Sequence, residues 1–335
     1  MTCAISMALG RAMLDHKFER ILVAIAEPAA AANKAVRRAG ALAHKTGASI
    51  ELLTAMPSAL SAGLMHAESE RFTRLEAEEN RRLLERTANR LRREEIIVNT
   101  HVETGYPAHE AILRQVRLTK ADLLIIEARK HNLFARLLLT QTDFELIRRC
   151  PVPLLIVKRA AAWRRPRVLA ALDPFHANDK PSALDDAIAA AADEFAALTG
   201  GTVHAAHVYR PILQLTPGME MVPGFVAAVA AQDKAYKAEV RSRFYEALGR
   251  HGIPKKRGHL RCGEPTIELP KFARSLRAGL VVMGAMSRSA LKRIFIGNTA
   301  EQVLDSLQCD VLIVKPPNRR EPTRRGQTSA EAALS

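Results

Sequence analysis

The sequence predicts two α/β domains fused head to tail, each with a five-stranded parallel sheet flanked by helices. Three observations predict it. The chain has 335 residues, 48% of them hydrophobic, enough for two ordinary cores. Displacing the sequence on itself by about half its length aligns five segments in one order: RILVAIAEP with RVLAALDPF, HKTGASIELLTA with ALTGGTVHAAHV, ETGYP with RCGEP, KADLLIIEA with RAGLVVMGA, and PLLIVK with DVLIVK. A repeat of this size outranks local motifs. Within each copy, short Val, Ile and Leu runs alternate with stretches at helical spacing, the signature of successive βαβ units covered on both faces.

Strands are expected near 20–26, 49–55, 96–103, 122–127 and 153–158 in the first copy, and near 167–173, 202–208, 258–262, 279–283 and 310–315 in the second. Between the first two strands of the first copy, Val36, Ala39, Leu42 and Ala43 form an apolar stripe that stops at Gly47. Leu184, Ala187, Ile188, Ala191 and Phe195 repeat the device ahead of Gly200. Val240, Phe244, Ala247 and Leu248 give a later one-faced stripe. These are packing faces, not cofactor boxes. The domains are expected over 18–160 and 164–317, joined by the linker RAAAWRRP ending at Pro166, with 1–17 and the Arg-rich 318–335 as flexible ends.

Composition bounds the function classes. No window approaches the roughly 20 apolar residues of a membrane helix, and the opening segment lacks an export signal, so a cytoplasmic location without membrane contact is expected. The net charge of +15 invites nucleic acid, but the basic residues are interspersed with acids along helical stretches and aromatics are only 4% of the chain. Nucleic acid is therefore not the expected partner. Cys3, Cys150, Cys262 and Cys309 show no metal-ligand spacing, and Cys150 and Cys309 read as small packing residues ahead of strands. No metal site is expected.

One segment suggests chemistry. After the fourth strand of the second copy comes GAMSRSALKRIFIGNTAEQVLDSL, with Gly284, Ser287, Gly297, Asn298 and Thr299 ahead of a helical stripe. A helix N-terminus offers unpaired N–H groups and a positive dipole end, glycines let the backbone approach phosphate, and hydroxyl and amide side chains add hydrogen bonds. The loop also follows a parallel strand, where open α/β sheets bind ligands. The plain alternative is a helix cap made by Asn298 or Thr299.

These residues resemble the G-x2-G-x9-G-[S/T] nucleotide loop of the universal stress protein family. GNTAEQVLDSLQCDVLIVKPP, together with TQTDFELIRRCPVPLLIVK in the first copy, resembles its tandem E subgroup over essentially 18–317. The resemblance implies Rossmann-like or flavodoxin-like (adenine nucleotide alpha hydrolase-like) domains. It also implies ATP or another adenine nucleotide, with or without Mg, across the carboxyl ends of strands one, two and four. Gly284, Ser287, Gly297 and Asn298 then take the phosphate positions, Asp173 faces the nucleoside, and Leu172 and Val208 flank the base. Ser287 replaces the loop's second glycine, and Asn298 stands where Ser or Thr belongs. In the first copy no glycine occurs between Gly105 and Gly200, EARKHNLFARLLLTQTD replaces the loop, and Ala26 stands in place of Asp173.

The expected function is a non-catalytic, cytoplasmic stress-response protein with a nucleotide site in the second copy. Its fifth strands, 153–158 and 310–315, are expected to pair about a pseudo-two-fold axis, as single-copy members of the family dimerise; a homodimer of the fused chain is a further option. The competing reading is a scaffold or a carrier of an apolar, lipid-like ligand, motivated by the apolar connection PILQLTPGMEMVPGFVAAVAAQ. No nucleophile elbow, P-loop or G-x-G-x-x-G fingerprint supports an enzyme, which leaves slow ATP hydrolysis as the one catalytic option.

Overall fold

The computed structural model describes residues 18–29, 33–56, 66–104, 107–130, 137–175, 183–211, 223–285 and 298–316. The apolar runs become strands β1 (Arg20–Ala24), β2 (Ser49–Met56), β3 (Val98–Thr104), β4 (Leu123–Glu127), the two-residue β5 (Arg129–Lys130) and β6 (Leu137–Leu138), and β7 (Leu154–Val157) in the first half. The second half supplies β8 (Arg167–Ala171), β9 (Thr202–Tyr209), β10 (Gly258–Cys262), β11 (Ala278–Gly284) and β12 (Asp310–Val314). Between them run helices α1 (Lys34–Thr46), α2 (His66–Arg92), α3 (Ala108–Leu118), α4 (Gln141–Arg149), α5 (Ala183–Thr199), α6 (Pro223–Arg250), α7 (Pro265–Ser275) and α8 (Asn298–Ser306).

Ten strands form one sheet in the order β10-β9-β8-β11-β12-β7-β4-β1-β2-β3. Pairing within each half is parallel; β7 and β12 meet antiparallel, with Val311 opposite Ile156, Leu312 opposite Leu155 and Ile313 opposite Leu154. The carboxyl ends of the two half-sheets consequently point in opposite directions. Side chains alternate along each strand, so Ile21 and Val23 enter one apolar layer and Leu22 the other. The first layer is closed by α1, α2, α5 and α6, and the second by α3, α4, α7 and α8. Both layers run through both halves, so neither half buries its sheet independently of the other.

Helix boundaries follow local chemistry. Asn33 accepts from the Val36 N–H to start α1, and Gly47 ends it at φ 75°, a backbone state glycine adopts at little cost. Thr140 and Asp143 form a reciprocal capping box at α4. Cys150 and Cys309 are buried beside β7 and β12, and burial pushes their thiols up to about 11 and about 12.

Two reciprocal lysines tie the halves together. The Lys158 ammonium donates to the carbonyls of Leu304 and Leu307 at the end of α8, and Lys315 donates to those of Arg148 (2.7 Å) and Cys150 (2.6 Å) at the end of α4. Each cation meets the negative end of a helix dipole from the other half. Arg148 also bridges to Glu301 at 2.6 Å.

Some expectations need correction. The third strand starts at Val98 rather than near 96, because Ile96 is pinned beneath α2 by an N–H bond to the Leu91 carbonyl while Ile97 is 70% exposed. The segment EARKHNLFARLLLTQTD, which stands in place of the nucleotide loop after β4, contains the antiparallel β5–β6 pair. Of the apolar connection, residues 212–222 lie outside the described residues, and Ala227 and Ala228 on α6 are exposed. The terminal segments 1–17 and 317–335 lie outside the described residues too.

Candidate functional site

The carboxyl ends of β8, β9 and β11 converge beside the start of α5. Parallel pairing puts Ala171 level with Ala206, so the next residues, Leu172 and His207, lie side by side. The Leu172 N–H donates to the Ala206 carbonyl at 2.9 Å, and His207 Nδ1–H donates to the Leu172 carbonyl at 3.0 Å. The chain then turns at Asp173, whose N–H donates to the Asp185 carboxylate at 3.2 Å. Asp185 sits in the first turn of α5, only 1% exposed, where the helix dipole favours its charge.

Asp173 itself remains open. Its side chain is 36% exposed, and its nearest ionic contact among the described residues is His207 Nδ1 at 4.0 Å. A wall of rings stands next to it: Phe175 stacks on His207 at 5.9 Å and meets Tyr236 of α6 at 6.1 Å, while Tyr236 packs edge-on against Tyr209 at 6.2 Å. Burial, reinforced by the neighbouring Asp173 charge, raises the Tyr236 phenol above its ordinary range. Arg243 lies over the outer face of Phe175 at 4.8 Å. These rings were not among the residues picked from sequence. Phe175 follows directly after Asp173-Pro174, and Tyr209 ends β9, but Tyr236 reaches the site from the middle of a 28-residue helix.

The sequence-predicted residues divide into three groups. Asp173, Leu172 and Gly284 are brought to one sheet end. Val208 is placed on the opposite face: Leu172 packs in the layer closed by α5 and α6, Val208 in that of α7 and α8, so the two do not face each other across one slot. The residue that register places beside Leu172 is His207. Asn298 and Thr299 form the first turn of α8 with only their backbone described, and Ser287 and Gly297 lie outside the described residues.

Gly284 has a packing role that sequence did not suggest. A Cβ there would stand 2.6 Å from Leu184 Cδ2, so the missing side chain is what lets the first turn of α5 sit on the end of β11. In the aligned first half, Glu127 takes the place of Gly284. Its carboxylate accepts the Lys34 N–H at the start of α1 (2.7 Å) and pairs with the Lys34 ammonium (2.7 Å). A negative side chain thus occupies the start of α1, as Asp185 does in the first turn of α5. Ala26, exposed at the end of β1, offers no counterpart of Asp173.

The chain matches the universal stress protein family model over residues 17–158 and again over 165–315. It is 30% identical over 223 residues to Universal stress protein E of Escherichia coli (strain K12), a stretch covering 64% of this chain and 66%, just under two thirds, of that relative. Over 315 residues it is 25% identical to the Universal stress protein E homolog of Haemophilus influenzae, covering 90% of this chain and 99% of that one. A crystal structure of a functionally unknown protein from Pseudomonas aeruginosa PAO1 superposes with TM-score 0.69 at 26% identity over 91% of this chain and 94% of its own. A universal stress protein from Archaeoglobus fulgidus DSM 4304 reaches 0.63 at 18% identity, covering 89% of this chain and 98% of its own, a likeness of fold.

Proposed function

This chain belongs to the universal stress protein family, and from that premise we propose that it is a non-catalytic, cytoplasmic stress-response protein. Its second half takes an adenine nucleotide at the carboxyl ends of β8, β9 and β11. The first half, which lacks the glycine loop and carries Ala26 in place of Asp173, serves as structure. The observation that carries the reading is Asp173, a carboxylate left 36% exposed at a sheet end, held through its backbone N–H and approached among the described residues by His207 at 4.0 Å. An acidic group at this position of an α/β sheet is suited to accept hydrogen bonds from ribose hydroxyls. The base would lie against the ring wall of Phe175 and Tyr209, and the phosphates would run toward Gly284 and the backbone at Asn298 and Thr299 that begins α8. Magnesium, when present, would act on the phosphates.

The antiparallel β7–β12 seam supports reading the fused chain as a covalent counterpart of a dimer of single domains. A second reading, an apolar ligand in place of nucleotide, draws on the same ring wall.

Calorimetric titration of nucleotide-free protein with ATP, with and without magnesium, tests the proposal. Asp173→Ala, which leaves the backbone bond to Asp185 in place, is expected to weaken binding by about tenfold through loss of a charge-assisted hydrogen bond. Saturable heat that is unchanged in the variant, or none in either protein, counts against the nucleotide reading.

A further inference from the structure

A second recess lies at the junction of the halves, at the amino ends of β8 and β11 and therefore at the opposite end of that half-sheet from Asp173. It is a cavity of about 320 Å³ whose wall carries Arg38, Arg159, Arg164, Arg165, Arg167 and Arg277 and, among the described residues, no aspartate or glutamate. Arg38 comes from α1 of the first half, Arg159, Arg164 and Arg165 from the linker, and Arg167 and Arg277 from the second half. The fold itself therefore assembles the cluster.

The guanidinium groups are only partly neutralised. Arg38, 5% exposed, pairs with the fully buried Asp310, but that carboxylate also accepts the Lys158 and Arg159 N–H groups. Arg167 spends one N–H on the Leu276 carbonyl, a neutral partner. Arg38 also donates to the linker carbonyls of Arg159 and Ala161, while its Nε and the Trp163 indole N–H are buried behind the wall with no hydrogen-bond partner among the described residues. Like charges crowded at one cavity are unfavourable unless an anion neutralises them. The linker is held firmly against the sheet here: a Cβ on Gly279 would stand 2.7 Å from Pro166 Cβ, and Arg165 adopts a left-handed φ of 47°.

We propose that this interdomain cavity binds a small polyphosphate anion, one carrying two or more linked phosphate groups. Planar guanidinium forks match phosphate oxygens in pairs, and the five exposed arginines around the buried Arg38 offer more donors than a monovalent anion takes up. The size argues for a compact ligand, since small-molecule pockets run from roughly 300 to 1,000 Å³ and this one is at the lower end. It also disfavours nucleic acid, whose bases would need an open ring: Arg38 already covers the Trp163 ring at 4.1 Å. Since the walls come from both halves and their linker, occupation would tighten the junction.

Trp163 is the single tryptophan of the chain, so its emission reports this cavity alone. The experiment is a fluorescence titration of the full chain with tripolyphosphate at constant ionic strength, beside sodium sulfate and a single-stranded oligonucleotide. Wild type and Asp173→Ala are expected to give the same saturable change. Arg164→Gln/Arg277→Gln, which leaves the buried Arg38–Asp310 pair intact, is expected to weaken it by about tenfold or more; circular dichroism establishes that it is folded. The proposal is overturned by no saturable change at millimolar tripolyphosphate, by an undiminished response in the double variant, by an equal response to sulfate, or by tighter binding of the oligonucleotide. Loss of ATP binding in Asp173→Ala with the tripolyphosphate response retained would separate the two sites.

Discussion

At the scale of single residues, the site is decided by what each position lets its neighbour do. Gly284→Ala would drive a methyl group into Leu184; such overpacking is expected to cost about 1–3 kcal/mol, read by urea unfolding. Leu184→Ala in the same chain should recover part of that loss, giving a favourable coupling in a double-mutant cycle. The stacked His204 and His259 rings, 5.4 Å apart, form a second sensitive point. Burial, then the neighbouring His259 charge, pulls His204 down to about 4 from 6.5. Between those values the unfolded chain takes a proton that the folded chain refuses, so stability falls as pH drops through this window. His204→Asn is expected to lose less stability than wild type between pH 7 and 5, by about 1 kcal/mol after screening by water at this part-exposed pair. The place of Asp173 at a sheet end was legible in the sequence because it follows closely after an unmistakable strand. The pairing of Leu172 with Val208 was not, since which face a residue takes depends on the register between β8 and β9, which no single strand encodes.

At the scale of elements, the apolar stripes of α1 and α5 and the glycines that end them were readable, because a 3.6-residue period and a left-handed stop are local properties. The β5–β6 pair and the late start of β3 were not, as both depend on what lies above them. The reciprocal lysines were equally silent: Lys158 and Lys315 end similar LLIVK and VLIVK runs, and only the fold aims them at helix ends of the opposite half. Burial pulls the Lys315 ammonium down to about 8 from 10.5, so between those values the unfolded chain holds a proton that the folded chain has shed. Stability from this group therefore rises with pH across that window. Relative to Lys315→Met, wild type is expected to gain stability between pH 8 and 10 in denaturant titrations; a constant difference would show that the lysine is not buried as described.

At the scale of the whole molecule, one sheet and two apolar layers run through both halves, joined where Leu155 faces Leu312, both fully buried. Leu312→Asp would place an unpaired charge at the seam, costing several kcal/mol, and is expected to lower a single shared melting transition. Two separated transitions, with the first half unaffected, would mean that the halves fold independently. The duplication was the most legible feature, because five matched segments in order survive divergence of their loops. The aligned pair Glu127 and Gly284 differs in packing: Glu127 bonds the start of α1, whereas the missing side chain of Gly284 makes room for Leu184. The most direct test of a nucleotide site in the second half alone is hydrogen–deuterium exchange of the full chain with and without ATP. Slowed exchange is expected at the ends of β8, β9 and β11 and none at the ends of β1 and β4; equal protection in both halves, or none in either, would contradict a site confined to the second half.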